Sequence, residues 1–351
     1  MKNLSKKLLL AAGLFASVSL FSTEIQQEKD YDQGHGVQEH QMMGAYSAPA
    51  RFDVKGSLDL FITASFIYWQ PIQESLSLAY TTYSSPVTSR GKVYDMDFSF
   101  KPGFKVGMGI NLSYDNWTMY LEYLRLHSKH KESINVPTSA TLSCLWRYYE
   151  GSLLSSNHIS GHWDFDTDLL DYYMTRSYYL GTKLTLNPFA GLRGGWIDQK
   201  LDVRATDTNN HLNKTFVESD TWLVGPRCGV DGFWHLGEGF RVFTNIAASL
   251  FYQHFKTVLK YYTVNADTLD YFDSKKVGRI IPNIDLSLGL AWGTYFADND
   301  WHIDLSAGYE FHHFWNQNTI RSLYETVFTN VLITPADLML HGLTIKARLD
   351  F

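Results

Sequence analysis

From residue 57 onward the chain alternates apolar and polar positions with a period of two, the spacing of strands whose faces meet different surroundings. The clearest run is 338–351. There Met339, His341, Leu343, Ile345, Ala347, Leu349 and Phe351 share one face, and Leu340, Gly342, Thr344, Lys346, Arg348 and Asp350 share the other. The same alternation opens at 57, where Leu58, Leu60, Ile62, Ala64, Phe66 and Tyr68 form the apolar face until Pro71 ends the strand. Between these runs the pattern predicts strands over 93–112, from 117, over 167–185, 189–204, 214–235 and 240–261, around 284–292, and from 301. The connections alternate in length. Short turns are expected near Asp115, at Leu186-Asn187-Pro188, near Gly237 and at Asn299, and longer loops at 71–90, 129–166, 205–213, 262–275 and 316–337.

This parity predicts an all-β, closed antiparallel transmembrane β-barrel of about ten strands, with short periplasmic turns and long extracellular loops. Twelve strands is the alternative, should the blurred fourth strand split or a loop hold a strand. In lipid an unpaired backbone group costs several kcal/mol, so a sheet there must close on itself. Residues 57–351 are assigned to this barrel. Residues 1–22, with Lys2, Lys6 and Lys7 before an apolar run at 8–21, read as a signal peptide. The apolar run is shorter than the roughly 20 residues a helical span needs. Residues 23–56 are polar and aperiodic and read as a periplasmic N-terminal segment. Export without a helical anchor points to the bacterial outer membrane.

Composition agrees. Aromatic residues make up 15% of the chain and charged residues 19%, which suits the aromatic girdles at the two interfaces of such a barrel. The net charge of −6 argues against a nucleic-acid partner. The two cysteines, Cys144 in the long loop and Cys228 on a strand, form no disulfide framework and are expected as free or intermolecular thiols.

Several strings resemble the Legionella-type pore-forming major outer membrane protein family, which includes porin-like proteins of environmental chlamydiae. They are Lys101-Pro102-Gly103-Phe104-Lys105-Val106-Gly107, Asp115-Asn116-Trp117 with Leu121-Glu122-Tyr123, Pro188 through Gln199, and Gly225-Pro226-Arg227-Cys228-Gly229. The resemblance spans 57–351. It implies a pore-forming outer-membrane role with a large exposed surface, and it brings no catalytic motif. Phe351 resembles the terminal aromatic by which outer-membrane barrels are handed to their assembly machinery. Outer-membrane lipids and lipopolysaccharide are the other expected partners, and homo-oligomerisation stays open.

The inward faces carry the candidate chemistry. Lys105, Glu122, Arg193, Arg227, Asp231, Arg241, Asp285, Asp304, Glu310, Lys346 and Arg348 are the expected pore-lining residues, with Asp59 and Asp350 on the same face. Such a lumen can select small hydrophilic solutes by its field, or its charges can pair across and fill it. About eight strands leave an interior filled by side chains, and about 16 to 18 leave an aqueous channel, so ten strands allow either. The expected function is a porin-like channel and major surface structural protein. A surface adhesin using 129–166 and 317–336, or a non-conducting barrel, is the alternative. A surface hydrolase would need His127, His130, His158, His162, His254, His312 or His313, expected towards the outer loops, paired with Asp164 or Asp166. Residues 163–168 resemble the start of a calcium loop, but Leu169 and Thr175 stand where Gly and Glu are required. The glycine pairs at 107–109 and 194–195 lie inside strands, as packing rather than phosphate-binding glycines. No cofactor or metal motif is present, and no enzymatic activity is expected.

Overall fold

In a computed structural model of the chain, ten strands pair edge to edge and close. The residues described are Phe52, Val54 and 59–351, apart from 85–88, 113–114, 139, 150–151, 264–267, 274–276 and 331–332. The expected signal peptide and nearly all of the expected N-terminal segment lie outside them. Around the barrel run β1 (Leu60–Gln73), β4 (Lys101–Asn111), β5 (Trp117–Asn135), β7 (Ser152–Arg176) and β9 (Leu184–Asp207). They continue as β10 (Leu212–Gly237), β11 (Phe240–Thr263), β13 (Val277–Phe296), β14 (Trp301–Asn318) and β15 (Ala336–Asp350). β15 then pairs with β1 in one register from Phe61↔Asp350 to Gln73↔Leu338. Leu60 and Phe351 exchange backbone hydrogen bonds at the rim of this seam. No helix of the described residues is long and apolar enough to cross a membrane.

The period-two reading of the faces holds. Ile62, Phe66, Phe104, Val106, Leu192, Ile246, Leu250, Leu288, Leu290, Leu305 and Ile345 point outward and are exposed. At the turn end, Trp301 packs near Phe296 and Phe351, and Phe240 near Trp292. Towards the loop end, Tyr68, Phe100, His341 and Tyr309 cluster on one side, and Trp222, Tyr252 and His254 on another. On β14 the outward positions run from Trp301 to Phe311. Ten residue steps at about 3.3 Å, tilted by roughly 40°, rise about 25 Å, the height of the apolar band of an outer-membrane barrel.

Short turns bring the chain round at one end of the barrel, the end expected to be periplasmic. Asp115 and Asn116, Glu238 and Gly239, and Asp298 and Asn299 all have positive φ, and at Glu238-Gly239 this is the conformation that matches the twist of a two-residue hairpin. One turn is not where the pattern placed it. Leu186-Asn187-Pro188 continues β9, and the chain reverses near Gly181 (φ +76°) after the three-residue β8 (Tyr178–Leu180). Pro71 does not end β1 either. Beyond Trp69 only β15 pairs with β1, and at such an edge a missing N–H is tolerated.

The larger departures are at the outer end. Strands β5 and β7 run on together from Leu126↔Thr167 to Asn135↔His158, so both flanks of the expected loop at 129–166, nearly half of it, are barrel wall. The expected second strand divides into β3 (Ser89–Tyr94) and β4. Between β1 and β4 the hairpin of β2 (Ala79–Ser84) and β3 pairs with β6 (Thr141–Tyr149), which lies between β5 and β7. The loop at 262–275 contains β12 (Thr268–Asp273), paired with β11, and the last loop contains the helix α1 (Ile320–Phe328).

These pieces turn inward. Leu76, Leu78, Ala79, Met96, Leu142, Cys144, Trp146, Ile320 and Tyr324 form one buried cluster with inward-facing wall residues such as Ile67, Trp69, Trp163, Phe165, Leu201, Phe251 and Phe314. Burial of this apolar surface drives the loops into the barrel. Several polar atoms of the plug are matched, although the Tyr324 hydroxyl and Arg147 Nε find no hydrogen-bond partner. Trp146 donates from Nε1 to the Ser77 carbonyl at 2.8 Å, Thr215 donates to the Trp146 carbonyl at 2.6 Å, and Arg321 donates to the Leu145 carbonyl at 2.9 Å. Gln199 bridges the lumen to Gln73 and Gln317 at 3.0 and 2.7 Å.

Candidate functional site: the lumen

Below this plug the lumen becomes polar, and a cavity of about 500 Å³ opens. All eleven residues expected inside the barrel line it: Lys105, Glu122, Arg193, Arg227, Asp231, Arg241, Asp285, Asp304, Glu310, Lys346 and Arg348. Each sits on the inward parity of a barrel strand. Glycines make the room. A Cβ on Gly109 would lie 2.2 Å from the Phe61 ring, and one on Gly107 2.5 Å from the Tyr120 hydroxyl, and both aromatics line the cavity. This is the packing role that the sequence suggests for them.

The charges do not stand free. Arg193 donates from Nε and Nη2 to Asp171 at 2.5 and 2.6 Å, and from Nη1 to Asp285 at 2.8 Å. Arg227 also reaches Asp285, and Arg241 reaches Asp304. His312 contacts Asp285 at 2.7 Å through Nδ1 and Glu310 at 3.2 Å through Nε2. Lys105 donates to Glu310 at 2.6 Å, and its ammonium lies 4.8 Å over the Trp69 ring. Apart from the separate Arg241–Asp304 pair, these links form a continuous path from β4 through β14 and β13 to β9, β10 and β7. The path crosses the lumen, because β4 and β14 are separated by two intervening strands on one side, and β13 and β9 by two on the other. Of the two readings open for the lumen charges, pairing across the lumen therefore holds for this layer. Trp69 caps the layer from the plug side, its ring 4.6 Å from that of His312.

Nearer the turns the side chains are held less tightly. Lys346 is 3.9 Å from Glu122 and 3.4 Å from the Tyr120 hydroxyl, and Asp231 accepts a 2.5 Å hydrogen bond from Asn245. Six basic side chains (Lys105, Arg193, Arg227, Arg241, Lys346, Arg348) and six acidic ones (Glu122, Asp171, Asp231, Asp285, Asp304, Glu310) line the cavity. Their formal charges cancel.

A charge-lined cavity thus occupies the lower half. The inward face of the upper half combines large apolar side chains with uncharged polar ones, which the sequence pattern did not convey. Asp171, His312, Tyr120 and Tyr173 belong to the cavity and were missed. For His312 a signal existed, since it continues the inward parity of Asp304 and Glu310 by one step. The expected grouping of histidines on outer loops is not found. His127 and His130 lie on β5, His158 and His162 on β7, His254 on β11, and His312 and His313 on β14. His127 does contact Asp166, and His162 lies 2.9 Å from Asp164. Both pairs lie on the outward parity of β5 and β7, away from the lumen. The stretch 163–168 is continuous β7 strand, and no group of three metal-ligating side chains occurs among the described residues. Both cysteines are free, Cys144 buried in the plug and Cys228 exposed on the outer wall.

A family model described as the Legionella pneumophila major outer membrane protein precursor matches residues 55–351. The chain belongs to that family. It is a bacterial outer-membrane β-barrel, with its short turns in the periplasm. No curated protein matches it. Among solved structures, the outer membrane protease OmpT from Escherichia coli is 9% identical, with 83% of this chain and 96% of that chain covered and a TM-score of 0.40. The P. putida toluene transporter TodX is 9% identical over 83% and 89%, with a TM-score of 0.29. The anion-selective porin from Comamonas acidovorans is 8% identical over 82% and 100%, with a TM-score of 0.17. At these values the major outer membrane protein family alone bears on this chain's role.

Proposed function

We propose that this member of the major outer membrane protein family is a porin-like barrel for small hydrophilic solutes, closed in the conformation described and opened by displacement of the outer plug. The carrying observation is the division of the lumen into a charge-lined cavity below and an apolar plug of loop elements above. A barrel meant only as a surface scaffold has no need of a 500 Å³ polar chamber within its membrane-embedded part. The plug is made of β2, β3, β6 and α1, none of which is part of the closed ladder, so it can move without opening the barrel seam. Because the lining charges cancel, the open state should discriminate weakly between cations and anions.

Planar-bilayer recording of the purified protein tests this reading. Long closed periods broken by discrete steps are expected, with more open time when the plug is weakened. Silence from both the native and the plug-weakened protein would remove the conduit and leave the surface-structural or adhesive reading.

A further inference from the structure

Phe52 lies eight residues before the first strand, yet its ring is one of the groups lining the cavity. It stacks on His302, with ring centroids 4.3 Å apart and planes within 18° of parallel. The guanidinium groups of Arg241 and Arg348 lie 5.0 and 5.7 Å from the same ring. An aromatic face set against cations and a second ring gains both electrostatic and stacking attraction.

The groups around the ring are also held by partners of their own. His302 is 1% exposed and is fixed through Nδ1 by Asp350 at 2.9 Å. Arg348 donates to Asp350 at 2.5 Å, and Arg241 is held by Asp304. All of these groups are at the periplasmic rim. Arg241 is the second residue of β11, His302 the second of β14, and Asp350 the last of β15. The plug is at the other end of the lumen.

We propose that Phe52 is an inner stopper, an aromatic side chain from the segment before β1 that closes the periplasmic mouth of the cavity. The inference rests on the reading of the cavity as part of a solute path, to which it adds a second gate. Its test is independent of conduction. In a Cys228→Ala background, Ser306→Cys places a thiol on the cavity wall, and modification by a charged, membrane-impermeant methanethiosulfonate is timed on the folded full chain in detergent. With Phe52 present the reaction should be slow. Phe52→Ala should accelerate it at least tenfold, and Phe52→Tyr should return it to within about twofold of the parent. Equal rates with and without the ring would overturn the proposal, as would a Tyr variant as fast as the Ala variant. Residue 52 lies outside the strand ladder, so barrel folding, read from heat-dependent gel mobility, should be unaffected. Failure here would leave the bilayer result standing, whereas bilayer silence beside a Phe52-dependent reaction rate would leave the ring as a cover of the chamber and overturn its role as a gate on a solute path.

Discussion

Replacing Trp146 by alanine should loosen the outer plug while leaving the barrel intact. Trp146 is 1% exposed, its ring centroid is 5.0 Å from that of Tyr324, and the Arg321 guanidinium lies 4.8 Å over it. Emptying a buried Trp site costs about 3–5 kcal/mol. The Ser77 carbonyl, which accepts from Nε1 at 2.8 Å, also loses its partner. Trp146 belongs to β6 and not to the closed ladder, so this loss falls mainly on the equilibrium between seated and displaced plug. At about 1.4 kcal/mol per factor of ten, the displaced state should become roughly a hundred to three thousand times more populated.

Cys144 reports that state. Its side chain has no exposure, and burial pushes its thiol up to about 11, against smaller opposing effects from the Trp146 backbone and from Arg147 and Arg321. A bulky, impermeant maleimide should therefore leave it unmodified for hours in a Cys228→Ala protein held in lipid. The Trp146→Ala substitution should raise the modification rate by the same two to three orders of magnitude. A change below about threefold, with the barrel still folded, would refute the idea that Trp146 locks the plug.

Other perturbations probe the layers beneath. Asp285 is 2% exposed and holds Arg193, Arg227 and His312 together. Asp285→Ala should lower stability by about 3 kcal/mol, the low end for a broken buried pair because Arg193 keeps Asp171 and the adjoining cavity admits water; the urea midpoint of folding into lipid vesicles measures it. In the open state, replacing both Arg193 and Arg227 with Gln should turn weak discrimination into a cation preference, read as a shift of reversal potential across a salt gradient. At the tip of the β9–β10 hairpin, burial raises the pKa of Asp207, but the N–H groups of His211 and Asn209 and the charges of His211 and Arg147 outweigh it and leave the carboxyl below its ordinary value. A lowered carboxyl pKa stabilises the fold above the unfolded value of about 3.9 and loses that contribution as pH falls through the folded value. Urea titrations at descending pH should show this acid-labile component in the native protein and not in Asp207→Asn.

The barrel was legible because lipid enforces it. Each spanning strand must show an apolar outer face, so the alternation of Ile303, Leu305, Ala307 and Tyr309 against His302, Asp304, Ser306 and Gly308 could mean little else. The eleven charged lumen residues followed from the same parity. The plug was not legible, for a physical reason. Leu142, Cys144 and Trp146 are a short apolar alternation that a surface hairpin could equally carry, and only their convergence with Leu78, Trp163 and Tyr324 gives them a place to be buried. Above the girdles, moreover, the outward face meets water, so β5 from Lys129 onward reads as a loop although the ladder continues to Asn135. Tyr172 and Tyr173 blurred β7 because either face accepts a tyrosine, at the lipid interface for one and in the cavity for the other. Leu186-Asn187-Pro188 carried turn chemistry that pairing with β8 and β10 overrode.

Amide hydrogen exchange of the protein in lipid bears most directly on the division of the lumen. The backbone amides of Leu142 to Trp146 should exchange far more slowly than those of an open surface loop, with protection falling when Trp146 is removed. Exchange of these amides as fast as in an unstructured peptide would mean that β6 does not fill the barrel, and the closed lumen would be contradicted.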